Sequence, residues 1–104
     1  MNLRGTFAVV TGAAQGLGYA VSQAYAREGM RLAVLDIRGD LLDELAGQLR
    51  AKGAEVLPLQ VDLSDAADTQ RAIDAALVWG GTPRILVHNA ALLIQRSMLE
   101  ITLE

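Results

Sequence analysis

Three glycines stand four and then two residues apart in Thr11-Gly12-Ala13-Ala14-Gln15-Gly16-Leu17-Gly18. The run before them, Phe7 to Val10, is wholly apolar, and apolar residues at helical spacing follow. That pattern reads as a strand, a tight turn and a helix start in close succession. Such a corner aims unpaired backbone N–H groups at the end of the strand, a ready seat for a diphosphate. The glycines have separate tasks: positive φ in the turn, room for a ligand beside the backbone, and close packing of helix on strand. No Gly-Lys-Ser/Thr follows, so the turn is not a P-loop.

Three further points fall at the ends of apolar runs. Asp36 ends Arg31–Leu35, where a carboxylate can accept hydrogen bonds from an adenosine ribose. A carboxylate there would also repel a 2′-phosphate, which favours NAD over NADP. Arg38 pulls the other way, since a guanidinium two residues on could pair that phosphate. Asp62-Leu63 ends the run Val56–Val61, and is read either as a carboxylate near an adenine amino group or as a solvated strand end. Asn89-Ala90-Ala91 follows Ile85–Val87; a short amide there can tie neighbouring strand ends, and the alanines leave room for a ribose. Gln15 is neutral and offers a phosphate no charge. The chain has one histidine, His88, and no cysteine, so no catalytic or metal site is expected. His88, Tyr19, Tyr25 and Trp79 read as packing residues.

The elements that must hold these residues alternate. After the turn, Leu17, Ala20, Val21, Ala24 and Tyr25 form a helical stripe, stopped by Arg27 and Gly29. After the second strand, Asp40 is placed to cap a helix with Leu41, Leu42, Leu45 and Leu49 inward, closed by Gly53. Pro58 cannot donate to a ladder, so the strand Val56–Val61 should lie at a sheet edge. Ser64 should cap a third helix running to about Val78, with Thr69, Ala72, Ile73, Ala76 and Leu77 inward. Residues 92–104 show no clear period. Strands alternating with amphipathic helices imply an α/β fold with a parallel sheet and right-handed crossovers. A phosphate turn after the first strand, with Pro58 at an edge, gives the strand order 3-2-1-4.

At 104 residues the chain reads as one domain, 1–104. Its net charge of −3 argues against a nucleic-acid partner. No apolar run reaches the length of a membrane span. A soluble, cytoplasmic domain is expected.

Together these residues resemble the N-terminal half of a short-chain dehydrogenase/reductase. Thr11 to Gly18 is similar to that family's TGxxxGxG, Asp36 to its acidic end of strand two, and Asp62-Leu63 to its adenine-contacting pair. His88-Asn89-Ala90-Ala91 resembles its NNAG, with histidine for the first asparagine and alanine for the glycine. The resemblance implies a Rossmann-like three-layer fold, an NAD(P) cofactor, and hydride transfer to or from an alcohol or ketone as a small-molecule substrate. It also implies a homo-oligomer. The cofactor-binding set it implies is Gly12, Ala14, Gln15, Gly16, Leu17, Gly18, Asp36, Ile37, Asp62, Leu63, Asn89, Ala90 and Ala91. The family's Tyr-x-x-x-Lys pair has no counterpart here, because Lys52 is the only lysine and lies on the second helix. The chain is therefore expected to be a fragment truncated after the fourth strand, with the cofactor-binding half and no catalytic residues. The alternative is a non-catalytic nucleotide-binding module that docks a partner.

Overall fold

The computed structural model describes residues 3–88. They alternate β1 (Phe7–Thr11), α1 (Gly16–Arg27), β2 (Arg31–Asp36), α2 (Gly39–Ala51), β3 (Val56–Gln60), α3 (Ala66–Gly80) and β4 (Ile85–His88). The strands form one parallel sheet in the order β3-β2-β1-β4. Pro58 does lie on an edge strand, opposite Val34 of β2. Asn89, Ala90, Ala91 and the tail fall outside the described residues.

The apolar strands are explained by cover on both faces. On one face Ala8, Val10, Leu32 and Val34 meet Leu42, Leu45, Ala46 and Leu49 of α2, with Tyr19 and Tyr25 of α1 packed beside them. On the other, Phe7, Val9, Ala33 and Leu35 meet Ala72 and Ala76 of α3. The residues alternate strictly along each strand, so a register slip of one would exchange the two sets between the faces and unfit each from the helix it packs against. Each fully buried leucine of α2 contributes about 1.5–3 kcal/mol relative to an exposed one. At the lower rim Trp79 stands edge-on to Phe7, with centroids 5.7 Å apart. Arg31 lies over both rings and donates to the carbonyls of Gly5 and Gly80.

Four helix details differ from the sequence reading. The core-facing side of α1 carries Gly18 and Ser22, while Leu17 and Ala20 are exposed. The helix sits so close to the turn that only small residues fit directly beneath it; Leu17 faces outward, and Tyr19 and Tyr25 pack at the flank. α2 begins at Gly39, with Arg38 and not Asp40 at its N-cap. The Asp36 carboxylate already accepts the Arg38 N–H, which starts the helix early. α3 is capped by Asp65, which accepts the Asp68 N–H. Ser64 is occupied elsewhere, giving both its N–H and its hydroxyl to Asp62. Leu77, expected inward, is 42% exposed.

Candidate functional site

The carboxyl ends of β1 and β2 and the N-terminus of α1 converge on the glycine turn. Gly12 and Gly16 adopt φ of 63° and 62°, values that side chains rarely tolerate. At Gly18 an added Cβ would overlap the carbonyl oxygen of Gly12, so the helix start is pressed against the turn. Ser22, one turn on, donates its hydroxyl to the Gly18 carbonyl. At Gly16 the same test finds no atom within 4 Å, so the outer side of the turn is open.

The three helix starts differ in how their negative complement is supplied. α3 has the Asp65 side chain as its cap, and α2 carries Asp40 in its first turn. α1 has neither: Gln15 at its N-cap makes no side-chain bond, and no acid lies in its first turn. The first N–H groups of a helix have no acceptor within it, and its dipole favours an anion there. The open side of Gly16 and this uncapped start together fit a diphosphate.

The turn is pinned to β2 on its inner side. Ala13 donates its N–H to the Leu35 carbonyl at 3.1 Å. Ala14 donates to Asp36 Oδ2 at 3.0 Å, and Arg38 donates to Asp36 Oδ1 at 2.9 Å. Asp36 is only 7% exposed, and it stands on the same rim as the glycines. Its two oxygens carry about four acceptor positions, so hydroxyl donors can still be received alongside the two N–H groups. Arg38 enters here through its backbone N–H.

The remaining site residues spread along this rim. Leu17 and Ile37 are exposed, at the helix start and just after Asp36. The Asp36 carbonyl accepts the Val61 N–H, which brings the end of β3, and Asp62 after it, to the same side. Asp62 is engaged locally: it donates its N–H to Asp68, and its Oδ1 accepts the N–H and the hydroxyl of Ser64. Leu63 turns inward against the α3-side core. Thr11 and His88, opposite one another on β1 and β4, meet through Oγ1 and Nδ1 at 2.8 Å. Gln60 donates to the Ile37 carbonyl and steadies the turn after Asp36. Neither its type nor its spacing marks Gln60 in the sequence, and the same holds for Ser22.

The titration of Asp68 is shifted downward. The N–H of Asp62, then the Arg71 guanidinium 2.8 Å away, hold its carboxyl below the usual aspartate value. Among the described residues no cluster of His, Cys, Asp and Glu could hold a metal ion.

The family model for short chain dehydrogenases matches residues 6–104. The chain is 37% identical, over its whole length, to 1-deoxy-11-beta-hydroxypentalenate dehydrogenase of Streptomyces exfoliatus, of which it covers 38%. A short-chain dehydrogenase/reductase from Burkholderia phymatum, solved in complex with NAD, superposes with a TM-score of 0.78 at 37% identity. That match covers 83% of this chain and 31% of the other. L-sorbose reductase from Gluconobacter frateurii, solved with NADPH and L-sorbose, gives a TM-score of 0.81 at 31% identity, covering 88% of this chain and 36% of that one. The chain thus spans about a third of the length of these relatives.

Proposed function

We propose a function from the premise that the chain belongs to the short-chain dehydrogenase family: it holds a nicotinamide dinucleotide, NAD in preference to NADP, for hydride transfer to or from a small alcohol or ketone. The bond from the Ala14 N–H to the Asp36 carboxylate carries this reading. It sets an acidic group directly beside an uncapped helix start, which matches a ribose next to a diphosphate.

In this reading the first-turn N–H groups at Gly16, Leu17 and Gly18, with Gly12 and Gln15 beside them, receive the diphosphate. Asp36 accepts from the adenosine ribose, and Ala14 holds Asp36 in place. Ile37, Asp62 and Leu63 flank the adenine, and Asn89, Ala90 and Ala91 are assigned to the ribose side of the crevice. The dinucleotide supplies the hydride chemistry when bound. Residues of this chain bind and orient it, and Tyr19 and Tyr25, packed against the core, are assigned no proton transfer.

The preference follows from charge. A 2′-phosphate would be brought against a carboxylate held by two N–H donors, with little freedom to turn away. Titration of the chain with NADH, NADPH and S-adenosylmethionine by calorimetry tests it. NADH is expected to bind at least about tenfold more tightly than NADPH, a difference of about 1.4 kcal/mol. Equal or tighter binding of NADPH overturns the assignment to Asp36, and tighter S-adenosylmethionine overturns the cofactor class.

The parent assembly is proposed to be a homo-oligomer in the cytoplasm, acting on a small molecule and not on nucleic acid or membrane. The net charge of −3 supports the exclusion of nucleic acid. No helix among the described residues is long and apolar enough to cross a membrane. The β4 edge, with Leu86 51% exposed, supports association with a second copy.

A further inference from the structure

We infer that Asp36 is a positioning residue for the diphosphate turn, so that one carboxylate sets both the sugar and the phosphate subsites. This rests on the dinucleotide reading above and adds a task to it. Ala13 and Ala14 are both buried, and their successive N–H groups are donated to the Leu35 carbonyl and to Asp36 Oδ2. Those two bonds fix the inner half of the turn before the chain reverses at Gly16 and enters α1. The Asp36 bond is charge-assisted, roughly twice as strong as a neutral one. Its carboxylate is itself aimed by the Arg38 N–H at 2.9 Å. Without Asp36 the buried Ala14 N–H would lose its acceptor, and the peptide would have to turn toward water. That movement would carry the neighbouring N–H groups of residues 15 to 18 away from their common focus.

The two roles predict opposite signs for a ligand that has phosphates and no sugar. If Asp36 only receives ribose hydroxyls, its removal takes a negative charge away from the site and tightens a bare polyphosphate. If it positions the turn, its removal loosens the seat and weakens that ligand. The probe is inorganic tripolyphosphate, titrated into the chain and followed through the amide resonances of Gly16 and Gly18. Asp36→Ala is expected to weaken it by about threefold or more and to speed exchange of the Ala14 amide in the ligand-free chain by about tenfold. Asp36→Asn loses the charge but keeps an acceptor oxygen, and is expected to stay within about twofold of the unaltered chain. Asp40→Asn removes an exposed carboxylate from the first turn of α2 and serves as the charge control, with unchanged Ala14 exchange.

Equal or tighter tripolyphosphate binding by Asp36→Ala overturns the inference. Should that variant fail to fold, a through-hydrogen-bond coupling between the Ala14 nitrogen and the Asp36 carboxyl carbon of the unaltered chain decides the matter, and its absence overturns the inference. Failure of the unaltered chain to bind NADH would sink the dinucleotide reading alone, because Ala14 exchange is read without any ligand.

Discussion

At the scale of the residue, two glycines and one aspartate are constrained for different reasons. Gly18 has no room for a Cβ, whereas Gly16 has room but the wrong φ for a side chain. Gly18→Ala must therefore push α1 off the turn, and the Gly12 carbonyl, as backbone, cannot swing aside. The expected cost is about 1–3 kcal/mol in chemical denaturation, the range for overpacking, with loss of NADH binding even where the chain stays folded. The glycine pattern was legible because Gly12 and Gly16 adopt a conformation that other residues resist and Gly18 fills a space that admits no side chain. The location of Asp36 was legible too, since it ends an apolar run. Its bond to Ala14 was not, because it joins residues 22 apart and depends on how the sheet aligns β1 with β2.

At the scale of the element, α1 shows where hydrophobic periodicity misleads. Its stripe of Leu17, Ala20, Val21, Ala24 and Tyr25 suggested a core face, yet the helix turns Gly18 and Ser22 to the sheet. Close approach selects for small volume, which a hydrophobicity pattern does not register. Ser22→Leu should destabilise the chain by about 1–3 kcal/mol through overpacking. Leu17→Ser, on the exposed side, should stay within about 0.5 kcal/mol in the same measurement. α2, whose core face is built from large residues, was easier to read: it buries Leu42, Leu45 and Leu49 as its spacing implied.

The start of α3 adds a pH dependence at the same scale. Asp68 is held below its ordinary value by the Asp62 N–H and by Arg71. A lowered carboxylate contributes stability that is present above its unfolded-state value, near 3.9, and is lost as pH falls through the folded-state value. Thermal melts between pH 5 and pH 2 (both about) should show a decline that is shallower in Asp68→Asn than in the unaltered chain. Asp65→Ala, which removes the cap itself, should cost about 0.5–2 kcal/mol at neutral pH.

At the scale of the whole molecule, the strand order was recoverable because two independent signals agreed: a phosphate turn after β1 and a proline in β3. Side-chain cover of the sheet is uneven. Among the described residues α1 and α2 lie over one face and α3 alone over the other, with a shallow apolar groove of about 110 Å³ beside β4. Leu63, Ile73, Leu77 and Leu86 line it. An apolar strip beside an edge strand invites pairing with another chain. Sedimentation over a rising concentration series is expected to show association, with Leu86→Lys shifting it toward monomer. A clean monomer at high concentration would count against the proposed oligomer.

Pro58 gives that association a direction. A sheet with two open borders can add copies without end, and polymerise into fibrils. Here the β3 border contains a residue with no amide hydrogen to offer, so it is a poor template for an incoming strand. Among the described residues growth is then confined to the β4 side, where two copies that meet use up each other's receptive border. The expected product is a closed pair, and electron micrographs of concentrated protein should be free of filaments.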